Sequence, residues 1–138
     1  VGFLHNTWTA RRLGVVSTAS AVRSYASTPG VGCQALAVTP GEGTHDELVA
    51  AVDDGILVQS LTGLHSGVNA VSGDISVGAE GMLIRGGSLA EPVCEVTLAT
   101  TLQRLLTDIK AVGADLEWQP SGTGAVTLVI GDVTLSGR

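Results

Sequence analysis

Apolar and polar residues alternate most cleanly in the middle of the chain. Across residues 68–77, Val71, Ile75 and Val77 fall on one side of an extended segment, and Ser72, Asp74 and Ser76 fall on the other. This period of two is the mark of a half-exposed strand. Residues 81–85 and 88–98 are two more β-type runs, separated by Gly86-Gly87. A Gly-Gly pair in that setting predicts a hairpin. In its second arm Cys94, Val96 and Leu98 share a face, and Pro92 points to an edge position or the first residues of a strand. Residues 55–61 read as a mostly apolar, central strand. Residues 33–39 read as a strand stopped by Pro40-Gly41. The helical period appears twice. Thr44-His45-Asp46-Glu47 matches a capping box, with Leu48, Val49 and Val52 on the apolar side. Asp53-Asp54-Gly55 ends that helix, and two acids opposing the helix dipole predict that it is short. Thr100-Thr101-Leu102-Gln103 offers a second capping box. It opens a helix with Leu102, Leu105, Leu106 and Ile109 on one stripe, closed by Gly113.

The flanks are less regular. Residues 1–8 are apolar and β-leaning, and residues 9–13 followed by Gly14 predict one helical turn with a glycine stop. Residues 15–32 have no clean period and read as a long loop. Residues 114–118 read as a strand and 119–124 as a turn. Residues 125–130 and 133–136 read as strands, with a bulge or turn where the alternation changes phase at Gly131-Asp132. The sum predicts one domain over residues 1–138, of the α+β, β-rich class. Its sheet is mostly antiparallel, a sandwich or partial barrel, with two short helices.

Composition narrows the function classes. The chain has 138 residues, 44% hydrophobic and 14% charged, with 7 Lys+Arg against 13 Asp+Glu for a net charge of −6. An acidic balance argues against nucleic-acid binding. No run is long and apolar enough for a transmembrane helix, and no basic-then-apolar signal segment opens the chain. The first residue is Val1 rather than Met, so the expectation is a piece of a longer protein. Cys33 and Cys94 lack metal-type spacing. They read as small, partly buried free thiols, which places the chain in the cytoplasm.

Four constellations have chemical potential. His5, His45 and His65 are isolated, without the paired spacing that puts two ligands on one helix face. His65, Ser66 and Asp74 hold triad residue types. Neighbours on a strand point to opposite faces, however, and no nucleophile elbow is present. Gly41-Glu42-Gly43 precedes a helix start, but the Walker lysine is missing and Glu42 repels anions, so a plain turn is the better reading. Finally, Ser72, Asp74 and Ser76, beside Asn69, form a polar stripe able to line a groove for an extended peptide. The ordinary alternative is the solvent face of an antiparallel strand.

The residues taken in order resemble a known family. Leu4-His5-Asn6-Thr7-Trp8-Thr9-Ala10-Arg11-Arg12-Leu13-Gly14 is similar to the S/T-A-R-x-x-G segment of the TldD/PmbA proteins, also called modulators of DNA gyrase. Pro40-Gly41-Glu42, Glu47-Leu48 and Asp54-Gly55-Ile56-Leu57-Val58 continue the series. The stretch from Gly67 to Ser76, with Gly78-Ala79-Glu80-Gly81, resembles that family's G-D-[FY]-S-x-G-A-x-G region. Glu91-Pro92-Val93, Leu98, Leu102, Val112-Gly113-Ala114-Asp115 and Val133-Thr134-Leu135-Ser136-Gly137 resemble its tail. Departures are Ile75 and Met82 at aromatic positions, Ala99-Thr100 where Gly-Asn is common at a turn, and Ala114 where Asn is.

The resemblance implies the C-terminal, β-rich domain of one subunit of a two-subunit cytoplasmic metallopeptidase that cleaves unfolded or leader peptides. One subunit type, TldD, carries His-Glu-x-x-x-His and a later Cys ligand. The other, TldE or PmbA, lacks them and completes the cleft. Trp118-Gln119-Pro120-Ser121-Gly122-Thr123-Gly124-Ala125 holds no Cys, which aligns this chain with the TldE/PmbA type. The resemblance therefore implies no catalytic residue and no metal ligand in this segment. It places zinc or another divalent metal on a TldD-type partner, and makes Asn69, Ser72, Asp74 and Ser76 the substrate-cleft candidates. Expected partners are that subunit and a peptide, with no nucleic acid and no membrane. Two alternatives stand beside this reading. One is a non-catalytic binding or assembly domain that no longer takes part in proteolysis. The other is an independent metalloenzyme with a ligand-bearing helix upstream.

Overall fold

The computed structural model describes residues 2–137. In chain order the elements begin with α1 (Thr7–Leu13), β1 (Ala21–Val22), β2 (Gly30–Val31), β3 (Leu36–Ala37) and α2 (His45–Ala50). The middle of the chain forms β4 (Asp54–Thr62), α3 (Leu64–Gly67), β5 (Asp74–Arg85), β6 (Ser88–Thr101) and α4 (Leu102–Thr107). Then come β7 (Ile109–Val112), β8 (Glu117–Trp118), β9 (Thr123–Ala125), β10 (Leu128–Ile130) and β11 (Thr134–Ser136). The β-rich α+β class is as expected. All strand pairs are antiparallel except β3 with β9, and among the described residues no sheet closes into a barrel.

The chain divides into two compact units. The first takes residues up to Val38 together with Glu117–Ala125. In it Asn6, not a strand residue, starts α1. Its side chain accepts from the Thr9 N–H while Thr9 Oγ1 accepts from the Asn6 N–H, a reciprocal cap. Asn6 is buried, and its Nδ2 donates to the Gly30 carbonyl, 3.1 Å away. Gly14 ends the helix at φ 68°, as its position predicts. Residues 15–32, expected to be a loop, contain the two-residue ribbon β1–β2. The strand expected over residues 33–39 is only β3, which joins β9 and β8 in a three-stranded sheet. Arg12 lies over the Trp8 ring, 5.3 Å from its centroid.

The second unit takes Thr39–Leu116 and the described residues from Val126 onward. Its frame is a four-stranded sheet in the order β11-β6-β5-β4. The Gly86-Gly87 hairpin forms as expected, with Arg85 opposite Ser88. Pro92 is accommodated because β11 covers only Thr97–Ala99 of the outer side of β6, so at Pro92 that side is an edge. Buried Val77, Ala79, Ile84, Val96 and Leu48 make the core of this unit. The Thr44–Glu47 capping box forms in full, and α2 is six residues long. Gly41 is a plain turn residue, packed so closely on the Val112 backbone that a Cβ would overlap the Val112 carbonyl.

Other expectations are corrected. Residues 68–73 are not strand: β5 starts at Asp74, and α3 was not foreseen. Val71 is fully exposed instead of sharing a face with Val77. The stripe from Leu102 to Ile109 does not form one helix. α4 stops at Thr107, and Ile109 begins β7, which pairs with β10. Only Thr101 caps α4, accepting from the Arg104 N–H. Gly113 is a bridge to Gly43 rather than a helix end. Residues 114–118 and 125–130 supply only β8, the last residue of β9 and β10 as strand. Ala99-Thr100 lies inside the β6 ladder, not in a turn. Cys94 does not share the face of Val96. A register shift places Ala79 opposite Val96 and Gly81 opposite Val93, leaving Cys94 and Glu95 in a bulge with Glu95 at φ 58°. Both cysteines are free, and they are exposed rather than partly buried.

Candidate functional site

The stretch between β4 and β5 folds back on itself. Gly63, at φ 77°, turns the chain out of β4 into α3, and Ser66 donates from its N–H and hydroxyl to the Gly63 carbonyl. Gly67 packs on the Ser76 carbonyl so closely that any side chain would overlap it. A turn follows. The Asn69 N–H donates to the Asp74 carbonyl (2.9 Å), and the Gly73 N–H donates to the Asn69 carbonyl (2.8 Å). Asn69 Oδ1 accepts from the N–H groups of Val71 (2.9 Å) and Ser72 (3.2 Å). An Asn side chain that closes its own turn is a recurrent use of that residue. Gly73 permits the turn by adopting φ 80°.

These contacts form one wall of a shallow groove of about 730 Å³, lined by Ser66, Gly67, Val68, Asn69, Ala70, Asp74 and Ser76. Three of the four sequence candidates, Asn69, Asp74 and Ser76, therefore meet at one place. Ser72 does not line the groove. Its hydroxyl donates to Asp74 Oδ2 at 2.6 Å and so orients the carboxylate. Ser66 and Gly67 were missed as lining residues. The signal for them was the pair of glycines, Gly63 and Gly67, bracketing too few residues for a strand.

The groove continues onto one face of the sheet. Residues directly opposite each other on neighbouring strands share a face. Asp74 is opposite Thr101, Ser76 opposite Ala99, and Gly78 opposite both Thr97 and Thr62. Thr134 and Ser136 extend this polar set through β11. The other face carries Ile75, Val77 and Ala79 against Thr100, Leu98 and Val96. Half of the sheet is thus two-sided, one face apolar and one rich in hydroxyls.

Asp74 is the one charged residue of the lining. The Ser66 hydroxyl is directed to the Gly63 carbonyl, not to His65. Among the described residues no three His, Cys, Asp or Glu side chains gather in one place. His45 and Asp115 are linked, but through Thr127. The Thr127 hydroxyl donates to Asp115 Oδ2 (2.5 Å), and the Thr127 N–H donates to Oδ1 (3.0 Å). With its one proton so used, that hydroxyl accepts from His45 Nδ1, 3.1 Å away. The Thr127 hydroxyl first, then the Thr127 N–H, hold the Asp115 carboxyl below its ordinary range.

A family model described as the PmbA/TldA metallopeptidase C-terminal domain matches residues 1–137. The chain belongs to the PmbA/TldD family. It is 31% identical over 129 residues to a metalloprotease PmbA homolog of Haemophilus influenzae, covering 91% of this chain and 26% of that protein. It is 34% identical over 123 residues to a metalloprotease of Synechocystis, covering 88% and 26%. Among solved structures, a Thermotoga maritima protein described as a modulator of a DNA gyrase superposes with a TM-score of 0.81 at 30% identity, covering 97% of this chain and 30% of that one. TldE of Thermococcus kodakarensis shares the fold, with a TM-score of 0.80 at 24% identity over 99% of this chain and 31% of that one. The chain spans about a quarter of the length of the curated PmbA relatives it matches. It corresponds to the C-terminal domain of a PmbA/TldD-family, metalloprotease-like protein. Among the described residues no helix is long and apolar enough to cross a membrane.

Proposed function

We propose that this domain belongs to a TldE/PmbA-type subunit of a two-subunit, cytoplasmic metallopeptidase, in which it forms part of the cleft for unfolded or leader peptides. The observation that carries the reading is the match of the C-terminal-domain family model across residues 1–137. The groove at Asn69, Asp74 and Ser76 supports it, since it offers polar groups beside a hydroxyl-rich sheet face and no nucleophile–base pair. Zinc or another divalent metal, held by a TldD-type partner, would supply the activated water. No step of that chemistry falls to the residues described above. An extended chain can be held by side-chain hydrogen bonds along a surface with little sequence preference, and the hydroxyls of Ser76, Thr97 and Thr101 on this face are of the type that supports such contacts.

Native mass spectrometry of the full-length parent mixed with a TldD-type subunit tests the assignment. The expected result is a heterodimer with metal on the partner alone. A homo-oligomer, or a metal that travels with the parent of this chain, would overturn it. The groove is tested within the same complex. Asp74→Ala is expected to slow peptide cleavage severalfold while leaving the circular dichroism spectrum and the melting midpoint unchanged. Cleavage at the wild-type rate would remove Asp74 from the cleft.

A further inference from the structure

The groove has a polarity that specifies more than an extended chain. Its lining carries one charge, Asp74, and no Lys, Arg or His. One carboxylate oxygen, Oδ2, accepts from Ser72, while Oδ1 accepts no hydrogen bond from the described residues. Asn69 is committed in the same one-sided way. Its Oδ1 takes two backbone N–H groups, which leaves the Nδ2 group as the donor it presents. Ser76, two residues along β5 from Asp74 and on the same strand face, adds a hydroxyl able to donate or accept. A carboxylate oxygen and a hydroxyl side by side match the donors of a primary ammonium group, and the neighbouring amide N–H suits an acceptor on the same peptide.

We propose that the Asn69–Asp74–Ser76 groove binds a primary ammonium group of a peptide, with Asp74 as its counter-ion. The proposal rests on the reading of this groove as a peptide site and deepens it by naming the chemistry selected. Two sources supply such a group, the peptide N-terminus and a lysine side chain. Ser72 acts as a positioning residue, because its hydroxyl fixes the carboxylate that faces the ligand. The groove is open, so the charge pair is partly screened. Its selectivity is then about two- to fivefold, the range for exposed ion pairs, and weakens with added salt.

The test uses the full-length parent with its TldD-type partner and four probe peptides of one length. They are oligoalanines with a free or acetylated N-terminus, each with or without an internal lysine. Binding is read by fluorescence anisotropy at low and high salt, for wild type, Asp74→Asn and Ser72→Ala. Asp74→Asn keeps an oxygen to accept from Ser72 and removes only the charge. The proposal expects tighter binding of ammonium-bearing probes, through one or both sources, than of the acetylated lysine-free probe, loss of that preference in Asp74→Asn, and a smaller loss in Ser72→Ala. A preference for the free N-terminus alone, or for lysine alone, identifies the source and supports the proposal. Binding of all four probes with equal affinity, or a preference unchanged in Asp74→Asn, overturns the ammonium site and leaves the peptide groove standing. No binding of any probe overturns both.

Discussion

Replacing Gly81 by alanine isolates the cost of one close approach between strands. Gly81 is buried in β5, opposite Val58 of β4 and Val93 of β6, beside register shifts on both sides. A Cβ there would overlap the Leu57 carbonyl oxygen, with the Leu57 carbonyl carbon 2.9 Å and Val58 Cα 3.1 Å away. All three atoms are backbone, so no side-chain rotation relieves the clash, and β4 must back away by about 1 Å to restore ordinary contact. A ladder bond of about 2.9 Å then stretches beyond useful range. Losing two such bonds at about 1 kcal/mol each, with overpacking of about 1 kcal/mol or more, outweighs the roughly 0.5–1 kcal/mol that alanine returns in backbone entropy. The net loss is about 2–3 kcal/mol. Gly86→Ala is the control: φ is 53° with nothing within 4 Å, so only left-handed strain of about 1 kcal/mol applies. Urea midpoints by circular dichroism, at constant m-value, rank the two variants. Equal losses would refute the argument that β4 and β5 are held at their closest approach by the missing side chain.

Further outcomes follow from local geometry. Ala19 holds φ 57° without being glycine, so Ala19→Gly is expected to raise stability by about 0.5–1 kcal/mol; an unchanged or lower urea midpoint would contradict this. Asp115 has a lowered folded pKa. Its contribution is therefore present above the ordinary carboxylate value of 3.8 and is lost as pH falls through the lower folded value. Thr127→Val removes the first cause of that shift, and a carboxyl-carbon NMR titration should show the Asp115 midpoint rising toward 3.8. An unmoved midpoint would mean that another group holds the proton off.

Features written in adjacent residues were legible in the sequence. The Thr44–Glu47 box, the Gly14 stop and the Gly86-Gly87 hairpin each depend on residues a few positions apart, and each forms. Features decided by distant partners were not. Ile109 and Val112 suit a helical stripe as well as a strand, and β10, some twenty residues later, decides for strand. Residues 68–73 alternate like a strand, yet Asn69 spends its side chain on a turn. The polar stripe was correct for Asp74 and Ser76 because both sit on β5, and misleading for Ser72, which precedes it. The hydroxyls of Thr97 and Thr101 could be joined to that stripe only once the β5–β6 register was known. The bulge at Cys94 and Glu95 shifts the phase by one residue, which no alternation count over residues 88–98 reveals.

The strand order of the main sheet also sets a timetable. β4, β5 and β6 follow one another along the chain and pair as consecutive neighbours, through a two-residue hairpin between β5 and β6 and an eleven-residue connection containing α3 between β4 and β5, so this meander closes through local contacts that form far faster than translation proceeds. β11 must return from about thirty residues further on to cover Thr97–Ala99 of β6. On a ribosome adding roughly 5–20 residues per second, the stretch of β6 that β11 covers stays bare for seconds after the meander has formed. During that interval Leu98 and its neighbours form an unguarded seam where a second nascent chain can dock.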